Sequence, residues 1–460
     1  MFLLPKGEIE GRFDPFFYKA EFIQLEKKVK AKSTLVLRDF VLNIASGATP
    51  LTTESDKYYV ENADEGVPFL RVQNLTTEGV LNITDCKYIN HTTHQTMLKR
   101  SQVGEDDLLV KITGVGRMAI ASVAPKGFRG NINQHVVVIK TKDRRTSEIL
   151  AAYLNTDIAE KLATRRSTGG TRPALDYPAL LSLPIIFDER VLEIMQNKVA
   201  EKHIVMHQAE TLLSSTDAYL LDALGIQLPT PPSVNLSERV FLSNFSDIEG
   251  LRFDPFFNNI YHKTVKSAIR TFRNVVNFEE VLTDLKNGVE IRDYVEQGGV
   301  RYLRVTDLGK NEINNNSPRF VADQSIPSKI KLNQNCVLIS RSGSLGLVSV
   351  VDDSLERVIL SSHIFKAELD TERVLPDYIV ALMRSQIGQI QIFQNNNGGV
   401  IPEINQNALK SILIPLPPLS IQEKIATHIR NLHTEVQALK TKAEATIIEA
   451  KAEIERILFE

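Results

Sequence analysis

The sequence predicts an α+β chain of two tandem mixed α/β domains, separated by two long antiparallel coiled-coil helices and related by a pseudo-twofold internal repeat. Three observations predict this fold class. One unit occurs twice, each copy contains short β-branched runs between turn residues, and each copy ends in a long stretch of heptad-spaced apolar residues. The predicted boundaries are 1–187 for the first domain, 188–228 for the central helix, 229–418 for the second domain and 419–460 for the C-terminal helix.

The internal repeat consists of matching segments that follow one another in the same order. Arg-Phe-Asp-Pro-Phe-Phe at residues 12–17 recurs letter for letter at 252–257. The other matched pairs are 67–75 with 300–308, 109–114 with 338–343, 134–136 with 362–364, and 169–175 with 398–404. Because the offset drifts only from 240 to about 228 residues, we interpret the copies as one unit with small loop insertions.

Each copy has the same internal order of predicted elements. β-branched runs bounded by Gly, Asn and Asp predict strands, and helical stretches at 147–163 and 376–393 follow them. A Gly-Gly loop and a proline-marked strand come next, at 183–186 and 412–418. In the repeated Asp-Pro-Phe-Phe segment we expect a structural turn, in which Asp caps, Pro fixes φ and both Phe side chains anchor in the core.

The two long helices give the clearest structural signal. In the second copy the apolar or small positions follow steps of mostly 4 and 3 residues: Ile425, Ile429, Leu432, Val436, Leu439, Ala443, Thr446, Ala450, Ile454 and Ile457. In the first copy the same frame holds Leu192, Met195, Val199, Met206, Ala209, Leu213, Thr216, Leu220 and Ala223, with Lys202 at one seam position. Proline residues from Pro229 onward are expected to stop the first helix. The favoured arrangement is mutual antiparallel pairing; packing of each helix on its own domain, or homodimerisation, are the alternatives.

Composition bounds the class of protein. The chain has 460 residues with 43% hydrophobic and 24% charged residues, a composition typical of a globular protein of several domains. Its net charge of -2 gives no sign of a strongly basic nucleic-acid binder. We expect no membrane helix and no secretion signal. The two cysteines, Cys86 and Cys336, form neither a short-spaced metal motif nor a disulfide framework, so a reducing cytoplasm is expected.

The motifs give no catalytic constellation. Glycine clusters at 114–116 and 343–346 lack a phosphate-loop lysine and the dinucleotide spacing. We expect no zinc site, and His135 and His363, at equivalent places in the copies, are interpreted as structural. The sequence therefore predicts a non-catalytic chain without a cofactor or metal site of its own.

Clustered cations and polar loops point instead to nucleic acid. Between residues 95 and 175 there are 14 Lys and Arg but seven Asp and Glu, which is the electrostatic pattern of a phosphate-binding surface or, equally, of a solvated face. The second copy carries Arg-Ser-Gly-Ser at 341–344 and Asn-Asn-Asn-Gly-Gly at 395–399. Arginine suits guanine edges and asparagine suits adenine edges, although Asn runs are also common in plain turns.

Taken with the order domain, helix, domain, helix, these segments resemble the specificity subunit of type I restriction-modification systems. The resemblance covers nearly the whole chain. It rests on Leu-Arg-Val-x-Asn/Asp-Leu, on the Arg-Ser-Gly-x-x-Gly turn and on the Gly-Gly loop before Ile-Pro-x-Ile. Its most specific part is Ile-Pro-Leu-Pro-Pro-Leu-Ser-Ile-Gln-Glu-Lys-Ile-Ala at 414–426; the first copy departs there, because 183–187 lacks the double proline.

This resemblance implies a function in DNA recognition. Each target recognition domain would read one half of a split DNA site, and the helices would set the gap and dock two modification subunits. Those partners would bind S-adenosylmethionine and methylate adenine N6, and a restriction-translocase subunit would cleave unmodified DNA. Carried over to matching positions, the expected groove or phosphate contacts are Lys111, Arg117, Arg172, Arg341, Ser342, Ser344, Asn395, Asn396 and Asn397.

Three rival interpretations stay open at this point. The chain could be a nucleic-acid-modifying enzyme acting alone, which would require a cofactor or metal site. It could be a non-catalytic two-domain coiled-coil scaffold for protein–protein binding. It could also serve a related methyltransferase-based defence complex with different effectors.

Overall fold

A computed structural model describes residues 12–232, 252–296, 298–309, 317–322, 331–351 and 358–460, together with residues 241, 242, 245, 248, 313 and 355. The chain divides into two compact units, residues 1–206 with 440–460 and residues 207–439. Both units mix strands and helices, so the α+β class predicted from the sequence is confirmed.

In its described residues, unit 1 combines nine short strands with six helices and parts of two long helices. Its strands are β1 Asn43–Ser46, β2 Tyr59–Val60, β3 Gly66–Leu70, β4 Lys87–Asn90, β5 Gln102–Val103, β6 Leu108–Lys111, β7 Ala121–Val123, β8 Gly130–Ile132 and β9 Val136–Lys140. Its helices are α1 Ala20–Lys32, α2 Ser55–Tyr58, α3 His91–Gln95, α4 Arg144–Leu154, α5 Asp157–Arg166 and α6 Tyr177–Leu181, followed by the start of α7 Glu189–Leu224.

Unit 2 repeats this order. Its helices are the end of α7, then α8 Ile260–Ile269, α9 Pro376–Arg384, α10 Gln386–Gln394, α11 Gln406–Lys410 and the start of α12 Leu419–Phe459. Its strands are β10 Val275–Asn277, β11 Leu282–Asn287, β12 Tyr294–Val295, β13 Val300–Leu303, β14 Arg319–Val321, β15 Cys336–Ser340, β16 Val348–Val350, β17 Val358–Leu360, β18 Ile364–Leu369 and β19 Leu413–Pro415.

The strand orders of the two units match. A first sheet has the order β1-β9-β6-β7 in unit 1 and β11-β18-β15-β16 in unit 2. A second sheet contains β2-β4-β3-β8 and β12-β14-β13-β17 in the same sense, with β5 added at the edge in unit 1. In both second sheets a parallel pair lies among antiparallel ones, β3 with β8 and β13 with β17. The repeat seen in the sequence is therefore a repeat of topology.

The central strands of the first sheet are buried on both faces, which explains their nearly continuous apolar runs. In unit 1 Leu108 and Val110 point into the cluster that contains α4 and α5, because alternate residues of a strand face opposite sides. Leu109 between them packs with Leu70 and Ile132 of the second sheet. The second sheet is thus held against one face of the first and the helices against the other.

Each predicted helical stretch is two helices rather than one. The stretch at 147–163 is broken at Asn155, whose side-chain amide bonds to both backbone groups of Ala121, at 3.1 and 2.8 Å. Thr156 then caps α5 by accepting a hydrogen bond from the Ala159 amide. In unit 2 the break lies at Ser385, between α9 and α10. The apolar periodicity did not reveal the breaks because both helices of each pair bury one face in the same core.

The long helices pair antiparallel within each unit. In unit 1 the start of α7 and the end of α12 share one core, and Lys198 Nζ lies 3.8 Å from Glu449 Oε2. In unit 2 the end of α7 and the start of α12 share another, and the rings of Tyr219 and His428 stack at 3.7 Å. Both helices also pack on the strands and helices of these units. Mutual pairing of the long helices and packing of each helix on a domain therefore occur together.

The predicted seam of α12 is confirmed, since all ten positions are buried or half-buried. The seam of α7 is confirmed except at its end, where Ala223 is exposed and Leu224 is buried. The helix also stops earlier than the prolines suggested. Gly225 has φ +62 and the Ile226 amide bonds to the Leu221 carbonyl at 3.0 Å, which is a glycine-terminated helix end.

A buried ion cluster ties α1 to α5 in unit 1. The Glu26 side chain is 4% exposed and bonds to Arg165 Nη1, to Arg166 Nη2 at 2.7 Å and to Lys30 Nζ at 2.8 Å. Burial raises the pKa of Glu26, but the hydrogen bond and charge of Arg166, together with Lys30 and Arg165, outweigh burial and hold it at about 2. Two of the cations counted in the basic window are thus buried structural groups.

We expect Glu26→Gln to destabilise the chain by about 3–5 kcal/mol at pH 7, because it leaves two buried guanidinium groups without their anion. The Glu26 contribution is complete above its ordinary pKa near 4.5 and is lost as the pH falls toward 2, since the folded-state pKa is the lower one. Denaturant melts at pH 7 and at pH 3 should therefore show a gap between wild type and variant that narrows in acid. Glu21→Gln, at an exposed position of the same helix, is the control. A variant that melts like wild type at pH 7 would contradict this role.

Candidate nucleic-acid interface

Three loops meet at one end of the first sheet in each unit. They are the glycine turn after β6 or β15, the Gly-Gly loop before α6 or α11, and the histidine turn before β9 or β18. Backbone hydrogen bonds join them identically: Ile112 to His135, Gly114 to Pro173 and Leu175 to Ile112 in unit 1, and Arg341 to His363, Gly343 to Pro402 and Ile404 to Arg341 in unit 2. These bonds fix which positions of the two units are equivalent.

In each unit a fourth segment, which follows β1 or β11, packs closely against the three loops through a glycine. Gly47 follows β1 and Gly288 follows β11, and their amides bond to the carbonyls of Val136 and Ile364 at 3.3 and 3.0 Å. A Cβ at Gly47 would overlap the Ile132 carbonyl, and a Cβ at Gly288 would overlap the Leu360 and Ser361 carbonyls. Only glycine allows this close approach, because it has no Cβ. In unit 2 the approach brings Glu290, two residues after Gly288, to the edge of the loops.

Lys111 is turned into the fold, and this geometry does not support its predicted contact with DNA. It is 3% exposed, and its ammonium donates to the Val115 carbonyl at 2.8 Å. Burial lowers the pKa of Lys111. The side chain therefore stabilises the glycine turn from inside the fold and does not face solvent.

Arg117 is also committed inside unit 1. Its guanidinium lies 2.8 Å from both Asp157 and Glu160, and it donates to the Asn155 and Thr156 carbonyls at 2.6 and 2.5 Å. With 16% of its side chain exposed, Arg117 joins the glycine turn to the start of α5. The structure gives it a positioning role, and its predicted direct contact with DNA is not supported by this geometry.

Arg172 is exposed on the Gly-Gly loop, as a DNA contact requires. The pKa of His135 is lowered, mainly by burial and to a smaller extent by the positive charge of Arg172. Other cations of the basic window are engaged elsewhere. Seven of the 14 lie in ion pairs with carboxylates, namely Arg117, Lys140, Lys142, Arg144, Arg145, Arg165 and Arg166. Their count therefore overstates the positive surface available to a phosphate.

In unit 2 the Arg-Ser-Gly-Ser turn lies at the rim, but Arg341 is ion-paired. Its Nη2 is 2.5 Å from Glu403 Oε1 and its Nη1 donates to the Ser362 carbonyl at 3.3 Å. Ser342 is half-buried and Ser344 is exposed. The two hydroxyls lie on this turn beside the cleft, whereas a contact from Arg341 would compete with Glu403.

The three asparagines separate into different roles. Asn395 is 6% exposed and caps α10 by donating to the Gln391 carbonyl at 2.9 Å, a geometry that does not support its predicted contact with DNA. Asn396 Oδ1 accepts hydrogen bonds from the Gly398 and Glu403 amides at 3.0 and 2.9 Å and thereby shapes the Gly-Gly loop. Asn397 is the exposed member of the run.

A cleft of about 540 Å³ opens at these loops in unit 2. Its lining includes Ser342 and Ser344, which the sequence predicted, and several residues that it did not: Glu290, Tyr294, Tyr302, Arg304, Thr306 and His363. Five of the missed residues come from the segment between the end of β11 and the turn after β13, and His363 comes from the turn before β18. The divergence between copies, Thr49 against Glu290 or Gln73 against Thr306, was the signal that could have found them.

Within the described ranges, no group of three or more His, Cys, Asp or Glu side chains could hold a metal ion. Within the same ranges, no helix is both long and apolar enough to cross a membrane.

Gly288→Ala should destabilise unit 2 by about 1–3 kcal/mol, as expected for overpacking, because the added methyl group overlaps two backbone carbonyls. Gly399→Ala is a matched control in the adjacent loop, since its Cβ would have no neighbour within 4 Å. Thermal melts of both variants test this difference. Equal melting temperatures would show that the segment carrying Glu290 is not held by the close approach.

Comparisons with known proteins agree with these features. Residues 272–448 match the type I restriction modification DNA specificity domain. The EcoKI specificity subunit of Escherichia coli K12 is 20% identical over 383 residues, 80% of this chain and 76% of that protein. Among solved structures, the type I S subunit of M. genitalium is 10% identical with a TM-score of 0.37, over 92% of this chain and 94% of that one. The HsdS subunit of Thermoanaerobacter tengcongensis is 16% identical with a TM-score of 0.30, over 92% of this chain and 94% of that one. Residues 272–448 thus match the type I restriction modification DNA specificity domain, and the chain is similar to a type I specificity subunit over most of its length.

Proposed function

We propose that this chain is the DNA specificity subunit of a type I restriction-modification complex, or of a closely related methyltransferase-based defence complex, and that each unit reads one half of a bipartite site. The match of residues 272–448 to the DNA specificity domain carries the proposal. The identical backbone frame of the loops supports extending it to unit 1.

The two units present different side chains on the same frame. At equivalent positions unit 1 has Thr113, Val115 and Arg172, where unit 2 has Ser342, Ser344 and Ile401. Sequence is read by side chains at base edges, whereas the backbone frame only positions them. The two units thus share the backbone arrangement of the loops but differ in the side chains at the edge of the loops. This difference supports two half-sites of different sequence.

Exposure of the side chains supports a smaller set of proposed contacts. Arg172, Ser342, Ser344 and Asn397 are the predicted residues with accessible polar groups at the rim, and we assign them to phosphates or base edges. Arg341 joins them only if DNA displaces Glu403. We assign Lys111, Arg117, Asn395 and Asn396 to positioning of the loops.

The long helices are the proposed spacer. α7 has 36 residues and α12 has 41, which corresponds to about 54 and 62 Å at 1.5 Å per residue. A rigid connection of fixed length fixes the separation of two half-sites. Exposed surfaces of the helices and units would dock two modification subunits, and a restriction or translocase subunit could join them.

In this proposal the chain itself is non-catalytic and works in the cytoplasm. The modification subunits would bind S-adenosylmethionine, flip the target adenine and methylate N6. This chain would select the site and hold its partners there.

Mapping of methylated adenines in a host that expresses this chain with its modification partners should give a motif of two specified halves with a fixed gap. The gap should stay constant when loop residues are changed, because the helices set it. Lengthening α7 and α12 by one heptad each should instead change the gap. A continuous motif, or no motif that depends on this chain, would contradict the proposal.

Arg172→Gln should weaken DNA binding by the assembled complex and lower the slope of log affinity against log salt by about one unit, because one phosphate contact is lost. Lys28→Gln removes one exposed cation from α1 and serves as the control. Binding is measured on a duplex that carries the mapped site. Affinity without salt dependence in the wild type would favour the protein-binding scaffold.

A further inference from the structure

One carboxylate lies on the rim of the unit 2 cleft, among hydroxyl, aromatic and cationic groups. Glu290 lines the cleft together with Tyr294, Ser342, Ser344 and His363. Half of its side chain, 51%, is exposed. Under the proposed function this cleft faces DNA, whose phosphates repel a carboxylate. An anion at this place therefore needs a favourable contact that offsets the repulsion.

Two hydrogen bonds stabilise the ionised carboxylate of Glu290 and leave part of its acceptor capacity unused. Its Oε2 accepts a hydrogen bond from the Ser362 hydroxyl at 2.8 Å, and its Oε1 accepts one from Arg292 Nε at 3.3 Å. These hydrogen bonds, Ser362 first and then Arg292, lower the pKa of Glu290. An ionised carboxylate offers about four acceptor sites and no donor, so capacity remains for one more donor from the cleft side.

The backbone around Glu290 is fixed on both sides. Tyr302, 3% exposed, donates its hydroxyl to the Val289 carbonyl at 2.9 Å and accepts from the Ile291 amide at 3.3 Å. The Val289 amide in turn bonds to the Leu360 carbonyl at 2.8 Å. One buried hydroxyl thus clamps the residues that precede and follow Glu290.

Unit 1 lacks both parts of this arrangement at the equivalent positions. Thr49 stands where unit 2 has Glu290, and Phe69, which has no hydroxyl, stands where unit 2 has Tyr302. The carboxylate and its clamp therefore occur together in one unit and are replaced together in the other. This pairing is expected if the clamp serves the carboxylate rather than the fold.

We infer that Glu290 is a specificity-determining residue of unit 2, which accepts a hydrogen bond from the exocyclic amino group of a base in the major groove. Cytosine N4 and adenine N6 are the amino groups presented there, and carboxylates pair with cytosine N4. Tyr302 is a positioning residue that holds Glu290 at the required place. The inference rests on the proposed function, because it requires that the cleft face DNA.

The test compares methylation motifs of the full complex carrying wild-type chain, Glu290→Gln, Tyr302→Phe and Glu279→Gln. Glu279 forms a surface ion pair with Lys410 at 2.9 Å and is the control for loss of one carboxylate charge. Glu290→Gln should reduce discrimination at one base pair of the half-site read by unit 2 by about 5- to 150-fold, the range for a good base contact. Tyr302→Phe should relax the same position, and the other half-site should not change. The base at the relaxed position then distinguishes cytosine from adenine.

Two results would overturn the inference. The first is an unchanged motif in Glu290→Gln. The second is a uniform gain of affinity for all sequences in Glu290→Gln but not in Glu279→Gln, which would mean that Glu290 only repels phosphate. Absence of a bipartite motif with the wild-type chain would instead contradict the proposed function, so the two failures are distinguishable.

Discussion

The loops at the end of the first sheet of each unit depend on one repeated arginine clamp. Arg12 Nε is 2.9 Å from Asp14 Oδ2, and its Nη1 and Nη2 donate to the Arg166 and Ser167 carbonyls at 2.9 and 3.2 Å. In unit 2 Arg252 likewise binds Asp254 and the Asn396 carbonyl. The carbonyls belong to the residues that enter the Gly-Gly loop, so the clamp joins the start of each unit to the base of that loop. This explains why Arg-Phe-Asp-Pro-Phe-Phe is identical in two copies whose loops differ.

Behind the clamp, the two units use different polar groups at the same positions. Arg165 and Arg166 of unit 1 bind the buried Glu26, whereas their counterparts Gln394 and Asn395 bond to backbone carbonyls. Either solution satisfies buried polar groups, which would otherwise be costly. The equivalence also explains Asn395: it occupies an interior position of the frame, although its neighbours in sequence belong to an exposed loop.

In the proposed function, base recognition would be left to a few side chains at the edge of the loops. Backbone bonds and buried ion pairs hold the loops, while Arg172, Ser342, Ser344, Asn397 and Glu290 project from them. Because different groups hold the loops and project from them, the projecting side chains can change while the backbone arrangement of the loops is kept. It accounts for scaffold segments that match between copies and loop segments that diverge.

The sequence by itself determined the repeat, the α+β class, the seams of both long helices and the resemblance to type I specificity subunits, because periodicity and self-similarity are local properties of the chain. It also placed the Asp14 cap, although Phe16 is 42% exposed while Phe17 is buried. The tertiary structure alone decided which polar side chains face outward. Arg117 turns inward because Asp157 and Glu160, some 40 residues later, accept its charge, and Glu290 reaches the cleft because Gly288 lies against carbonyls about 70 residues away. Exposure depends on such distant partners, and no spacing within a motif encodes them.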